Sequence, residues 1–220
     1  MEATTKETCT KNDSVVSNTG EIITIAGTSG YLICKRFADL VFALAAGVIC
    51  LIPMLIIGVL VKLDSKGPAI FKQERLGQDG RPFVIYKFRS MVEDAEADGP
   101  KWAEVNDGRC TRLGRILRRS RLDELPQLIN IIKGDMSFVG PRPERAYFYD
   151  QFERYIPGFR NRLIVQPGLT GWAQVNGGYE LLPEEKLVYD MEYIATRSFK
   201  LDLRCVLKTV RLIFTHKGAR

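Results

Sequence analysis

Histidine is nearly absent from this chain. Among 220 residues the single example is His216, four residues from the end in a basic tail. Chemistry that needs a histidine base beside a serine or cysteine nucleophile therefore has almost nothing to work with, and His216 reads as a solvated tail residue. Cysteines are few and scattered, at Cys9, Cys34, Cys50, Cys110 and Cys205. No two are close enough for a zinc knuckle or a redox pair, the odd total leaves at least one thiol unpaired, and a reducing compartment is the simpler setting. Residues 1–30 lack a basic stretch followed by an apolar core, which excludes a secretory signal peptide. Internal repeats and low-complexity runs are also missing. Positive charge is plentiful: 32 Lys and Arg against 26 Asp and Glu give +6. That balance favours an anionic partner, whether nucleic acid, acidic phospholipid or a phosphorylated substrate. At this length one compact unit is expected.

Residues 1–30, rich in Thr, Ser, Asn and Gly, predict a flexible N-terminal arm with one short strand or helical turn over Glu21 to Ala26. From Leu40 to Val61 the chain then runs 22 residues with no charged or hydrogen-bonding side chain except Cys50. As a helix this run is roughly 33 Å long, enough to cross a bilayer. Yet Lys35 and Arg36 precede it and Lys62 and Lys66 follow it, and basic flanks prefer the cytoplasmic side. Pro53 divides the run, because it lacks an amide donor and clashes with the carbonyl of Ile49. Two arrangements fit: a kinked transmembrane anchor, and a helix that enters, bends at Pro53 and returns. In both, Asp39 follows Lys35 by four positions and Arg36 by three, so an ion pair would offset the cost of a carboxylate near lipid.

Beyond Lys62 the composition is that of a soluble domain. Asp64 to Pro68 is a turn, and Ala69 to Gln73 and Pro82 to Phe88 predict a small β-hairpin around Gly77 to Gly80. Helices are expected from Met91 to about Val105, over Arg112 to Ser120, over Leu125 to Ile132 with a stop at Lys133-Gly134, and over Arg145 to Tyr155. Two more are expected over Pro183 to Ala195 and Asp202 to His216, with a glycine-punctuated loop from Pro167 to Gly178.

Arg109, Arg112, Arg115, Arg118 and Arg121 recur every third position, with Arg119 beside them, and on a helix they form a drifting stripe that attracts phosphate. A solvated face or contact with lipid headgroups would look the same. Nucleic acid is disfavoured, because no base-stacking aromatic stands between Arg109 and Arg121. Next comes Leu122-Asp123-Glu124-Leu125-Pro126-Gln127, where Pro126 is tolerable only in a first helical turn. Asp123 is then near a helix N-terminus, where amides and dipole favour its ionised form. A carboxylate so placed can attack phosphorus while its neighbour holds a divalent cation; the bland alternative is an N-cap. Arg142 stands between Pro141 and Pro143, which fix its backbone for a bidentate phosphate contact. Lys87 and Arg89 flank Phe88 at a strand end, and Phe88 and Met91 fit core packing.

In this order the stretches resemble the small monotopic phosphoglycosyl transferases, the bacterial sugar-transferase family. The resemblance covers Lys35 to the C-terminus and rests on Lys35-Arg36 with Asp39, Pro53, Gly67-Pro68, Lys87 to Met91, Leu122 to Gln127, Gly134 to Pro143, and Pro167 to Asn176 with its Gly-Leu-Thr-Gly-Trp-Ala-Gln-Val-Asn core. It implies a ping-pong reaction: an aspartate attacks the β-phosphate of a UDP-sugar, UMP leaves, and polyprenyl (undecaprenyl) phosphate takes the phosphosugar. By the same resemblance Asp123 is the nucleophile, Glu124 a ligand of Mg²⁺, and Arg142 a phosphate clamp. Arg118, Lys87, Arg89 and Arg145 are supporting cations, and Gly168, Thr170, Gln174 and Asn176 belong to a nucleotide-binding loop. The implied fold class is α+β, a mostly helical monotopic membrane protein with a re-entrant helix kinked at Pro53, amphipathic interfacial helices and a small β-hairpin. Its parts are an arm (1–30), a re-entrant helix (31–62) and a cytoplasmic catalytic domain (63–220) on the bacterial inner membrane, with no further membrane helix before Lys35. UDP-sugar, polyprenyl phosphate and membrane lipid are the implied partners, nucleic acid is not, and the reading leaves room for a homodimer and downstream glycosyltransferases. The chain departs from the family pattern in having Ile52, not Ser, before Pro53, and Gly178-Tyr179, not Arg-Asn, after Gly177. A non-catalytic membrane-anchored binding module is the rival reading, and the Asp123-Glu124 pair distinguishes the two, because docking has no need of it.

Overall fold

A computed structural model describes residues 13–16, 22–97, 99, 107–178 and 181–215. Its longest element is helix α1 (Ser29–Asp64), opened by Thr28, whose hydroxyl accepts the Tyr31 amide, and running uninterrupted through Pro53. Tyr31, Asp39, Ala43, Ile57 and Val61 are buried, whereas Val48, Ile49 and Ile52 are 77%, 76% and 68% exposed. Packing therefore takes both ends of α1 and leaves its apolar middle uncovered. By length and composition this helix could cross a membrane.

Both ends of α1 are tied to the rest of the fold. At the first, Arg36 donates to the carbonyls of Ile131 (2.6 Å) and Ile132 (2.8 Å), Lys35 pairs with Asp202 at 3.0 Å, and Asp39 Oδ1 accepts the Phe138 amide at 3.2 Å. The ion pair expected of Asp39 with Lys35 or Arg36 is thus replaced by a backbone contact. The reason is competition: Arg36 finds two carbonyls at the negative end of helix α3 (Leu128–Lys133), and Lys35 finds a carboxylate. At the other end Arg89 Nη2 donates to the carbonyls of Val61 (3.1 Å) and Ser65 (2.7 Å).

The short strand expected over Glu21 to Ala26 is present: β1 (Asp13–Val16) and β2 (Ile22–Ile25) form an antiparallel hairpin. Ile23 and Ile25 are buried in a core with Val139, Val165, Tyr193, Ile194 and Cys205, so this part of the arm belongs to the fold. The second hairpin joins β3 (Ile70–Leu76) to β4 (Pro82–Phe88), in register from Ile70 opposite Phe88 to Leu76 opposite Pro82. Strand alternation sends Phe88 into a core with Ile57, Val61 and Leu117 while its neighbour Lys87 faces the other way. No helix forms over 91–97: Met91 and Cys110 make an isolated antiparallel bridge, and Arg109 donates to the Ala95 carbonyl at 3.2 Å, which folds the acidic segment back as turns. Of the rest of that expected helix only Gly99 is described, and Tyr179 and His216 lie outside the described residues.

Helices α2 (Arg112–Ser120) and α3 fall where expected, and α4 (Ala146–Glu153) is shorter at its C-terminal end than the sequence suggested. The expected loop over 167–178 contains a strand, β6 (Gly168–Thr170), parallel to β5 (Ser137–Val139), and a short helix α5 (Trp172–Asn176). Glycine made the stretch look like a loop, yet it serves contact: a Cβ on Gly168 would lie 2.1 Å from the Gly140 amide nitrogen, so only glycine lets the two backbones meet. Helices α6 (Pro183–Thr196) and α7 (Phe199–Thr215) close the fold, joined where Tyr193 donates to Asp202 at 2.8 Å.

Candidate active site

Helix α2 sets the site. Thr111 caps it by accepting the Gly114 amide at 2.9 Å, and Gly114 presses on Ser90 so closely that a Cβ would lie 1.9 Å from the Ser90 carbonyl oxygen. The helix therefore lies directly on the chain after β4 and brings Arg118 towards Lys87. Arg121 then takes a left-handed backbone (φ 59°) and turns the chain into a 3-10 segment, Leu122–Gln127. Asp123 and Glu124 occupy its first turn, with Pro126 inside it. Asp123 makes no N-cap hydrogen bond, since Arg121 holds that position.

Glu124 is held by two cations: Lys87 Nζ donates to Oε1 at 2.9 Å, and Arg142 donates from Nη1 to Oε2 at 3.3 Å and from Nη2 to Oε1. Burial works against its charge, but Arg142 and Lys87 outweigh it and keep the carboxyl well below the usual range. Asp123 is 7% exposed and lacks such a clasp. Its burial, then the charge of Glu124, push its pKa up to about 6, against the pull of Lys87, Arg118 and Arg142. One acid is thus held as an anion while its neighbour is pushed the other way, a divergence of the kind found in catalytic carboxylate pairs.

A cleft of about 480 Å³ opens over the pair, a size suited to a small-molecule ligand. Its walls include Lys87, Arg118, Arg121, Asp123, Glu124 and Arg142. Of the arginine stripe, Arg109, Arg118 and Arg121 border the cleft, while Arg112, Arg115 and Arg119 are exposed on the far face of α2. Arg89 borders it too, but two of its nitrogens serve the end of α1. Arg145 sits at the edge, paired with Glu96 at 2.9 Å. Of the four residues assigned to a nucleotide loop only Gln174 lines the cleft. Gly168 and Thr170 lie in β6, the latter bonded to Thr209 at 2.6 Å, and Asn176 accepts Lys208 at 2.7 Å. Phe88 is core, as expected, at 3% exposure.

Sequence reasoning missed the buried pair Arg162–Asp190, 2.6 Å apart, and Arg75, paired with Glu144 at 3.0 Å; all four border the cleft. The only local trace was Lys186 four residues before Asp190, both pointing inward from α6.

Asp123 and Glu124 provide the two carboxylates from which Mg²⁺ is often bound when substrate phosphates and water complete its shell. Among the described residues no group of three or more acidic, histidine or cysteine side chains comes together, so an all-protein metal cage is not formed.

The sequence pattern of the family described as bacterial sugar transferase matches residues 30–216. A UDP-N-acetylgalactosamine-undecaprenyl-phosphate N-acetylgalactosaminephosphotransferase of Aeromonas hydrophila is 46% identical over 193 residues, covering 86% of this chain and 46% of the relative. UDP-glucose:undecaprenyl-phosphate glucose-1-phosphate transferases of Xanthomonas campestris pv. campestris and Caulobacter vibrioides are each 42% identical, over 86% and 84% of this chain. The chain spans 40% of the Xanthomonas relative's length and 71% of the Caulobacter relative's.

Proposed function

The chain belongs to the bacterial sugar transferase family, and from that premise we propose that it transfers a sugar 1-phosphate from a UDP-sugar to undecaprenyl phosphate, releasing UMP. The relatives act, by name, on UDP-N-acetylgalactosamine or UDP-glucose, so the donor class is a UDP-hexose with or without an N-acetyl group. The observation that carries the reading is the divided carboxylate pair: Glu124 clasped by Lys87 and Arg142, and Asp123 unclasped in a cleft lined by arginine.

In this mechanism an Asp123 oxygen attacks the β-phosphorus, a new P–O bond forms as the bond to the bridging oxygen breaks, and UMP carries away the electron pair. A phosphate oxygen of undecaprenyl phosphate then attacks the same phosphorus and frees the Asp123 carboxylate. Arg118, Arg121 and Arg142 neutralise the phosphates from the walls. Glu124 orients Lys87 and Arg142, and it would hold Mg²⁺ together with the donor's phosphates, at the cost of one of those contacts. When bound, the ion neutralises charge on the pyrophosphate.

The proposed setting is the cytoplasmic face of the bacterial inner membrane, with α1 entering and leaving on one side. Support comes from the ties that join Arg36 and Asp39 at one end of α1, and Val61 and Ser65 at the other, to one folded unit. The exposed apolar residues Phe199, Leu203 and Leu207 of α7, and Ile116 among exposed arginines of α2, suit an interface between lipid tails and headgroups. The test is UMP release from a panel of UDP-sugars by the full chain in detergent, with Mg²⁺ and with chelator. Release that needs Mg²⁺ is expected. Absence of release from every donor, with undecaprenyl phosphate present, would sink the reading.

A further inference from the structure

The stretch that carries Arg142 to Glu124 lacks the ordinary means of staying in place. Pro141 and Pro143 have no amide hydrogen, so the stretch cannot pair along its length as a strand, and residues 141–145 belong to no helix or strand. Its carbonyls are nevertheless taken one after another. Pro141 accepts the Gly168 amide at 2.9 Å and Glu144 accepts the Leu76 amide at 3.0 Å, both from backbone. Between them the donors are side chains: Arg162 Nη2 reaches the Arg142 carbonyl at 3.0 Å, and Arg75 Nη1 reaches the Pro143 carbonyl at 3.3 Å. Each of these arginines is itself held. Arg162, on the 3-10 segment Phe159–Ile164, donates from Nε to Asp190 Oδ2 at 2.6 Å and lies over the Phe159 ring at 4.8 Å. Arg75, on β3, donates to Glu144 Oε2 at 3.0 Å and to Gln73 Oε1 at 2.6 Å.

Stability alone is a poor reason to bury such a pair. Arg162 and Asp190 are 2% and 1% exposed, and Arg162 Nη1 and Asp190 Oδ1 have no hydrogen-bond partner among the described residues. A buried ion pair with unsatisfied atoms gains little over apolar side chains of similar size. What apolar side chains cannot supply is the geometry. A planar guanidinium can give one edge to a carboxylate and aim another nitrogen at a carbonyl, here the carbonyl of the residue whose side chain clasps Glu124. We propose that Arg162 with Asp190, and Arg75 with Glu144, are positioning residues that act through Arg142. They brace the carbonyls of residues 142 and 143, so that the Arg142 guanidinium is set before a phosphate arrives and loses less freedom in gripping it. This inference rests on the UDP-sugar reading given above.

The test is a mutant cycle on the full chain in detergent, read by melting temperature and by UMP release from a UDP-sugar. Arg162→Met with Asp190→Leu replaces the pair by apolar side chains. The Arg142 carbonyl loses its donor, but two buried charges with unpaired atoms go too, so the melting temperature is expected to stay within a few degrees of wild type. kcat/KM is expected to fall about tenfold, divided between KM and kcat in the same proportion as the loss in Arg142→Lys. Added to Arg142→Lys, the double replacement is expected to cost less than about a further twofold, because the side chain it positions is already gone. A fall of the same factor in both backgrounds would show that Arg162 and Asp190 act independently of Arg142, and it overturns the proposal. So does early melting with normal turnover per folded molecule, which would assign the pair to the fold. Should the double replacement not fold, Arg75→Lys, at a side chain that is 17% exposed, is put through the same cycle with the same expectations. Failure of both to fold assigns the arginines to the fold and overturns the proposal as well. A wild-type protein that releases no UMP from any donor removes the enzymatic reading and this inference with it, whereas normal wild-type turnover with an equally active double replacement removes only the inference.

Discussion

Arg142 reaches Glu124 with both terminal nitrogens, Nη1 lying 3.3 Å from Oε2 and Nη2 against Oε1, while Lys87 takes Oε1 from another side at 2.9 Å. Of the other carboxylates, Glu144 beside Pro143 pairs with Arg75 at 3.0 Å and Asp135 accepts from Asn130 at 3.1 Å. A planar guanidinium can span both oxygens of a carboxylate, or of a phosphate that replaces it, and an ammonium cannot. Arg142→Lys keeps the charge that Glu124 needs, so the melting temperature is expected to stay within a few degrees. kcat/KM for UMP release is expected to fall roughly ten- to a hundredfold, the loss of one charge-assisted contact. Early melting with normal kinetics in the folded fraction would assign Arg142 to the fold alone.

How much of this was legible depends on how local each signal is. The apolar run, its basic flanks and Pro53 sit together in sequence, as do the arginine stripe and Asp123-Glu124, so both were readable as patterns. The buried pair Arg162–Asp190 was not. Arg162 and Asp190 are 28 residues apart, and neither has a neighbour that announces the partner. The parallel pairing of β5 with β6 escaped for the same reason, because glycines that permit backbone contact look, in sequence, like glycines that permit a turn. Asp39 shows the opposite failure: spacing offered it Lys35 and Arg36, and tertiary packing gave those cations better partners.

Asp123 attacks only as an anion, and its pKa is pushed up to about 6 by burial and by Glu124. UMP release in a single turnover is therefore expected to rise with pH, to be half-maximal near 6, and to level off about one to two units above. The sign for stability is opposite. Between the ordinary value of 3.8 and about 6 the folded state holds the proton more tightly than the unfolded chain, so the contribution of Asp123 to stability falls as pH rises through that window. A rate profile already flat at pH 5 would show that the carboxylate is not desolvated.

Both ends of α1 are anchored to one unit, so under the proposed cytoplasmic placement neither should be accessible from outside the cell. In a chain with all five native cysteines replaced, cysteines introduced before Lys35 and after Lys66 are expected to resist an impermeant reagent in intact cells and to react after lysis. Labelling of the N-terminal position alone in intact cells would show a full crossing and remove the re-entrant reading. Pro53→Ala restores a hydrogen bond at the middle of a helix long enough to span, and is expected to shift part of the population towards that crossing.

Asp123→Asn separates the nucleophile from the scaffold. An amide has the shape of the carboxylate but cannot form the acyl phosphate, so transfer and UMP release are both expected to vanish, and no phosphosugar is trapped on the variant from a labelled donor. Because Asp123 is buried as an unclasped acid, its removal should not weaken the fold. The rise of its pKa from 3.8 to about 6, already net of the attraction to Lys87, Arg118 and Arg142, corresponds to about 3 kcal/mol of strain on the ionised form at high pH. At pH 8 the variant is expected to melt at the wild-type temperature or several degrees above it, and the gain should disappear near pH 4, where the wild-type acid is itself neutral. A variant that is inactive and also melts early at pH 8 would show Asp123 to be structural. One that releases UMP at a rate near the wild type would assign the attack on phosphorus to another group.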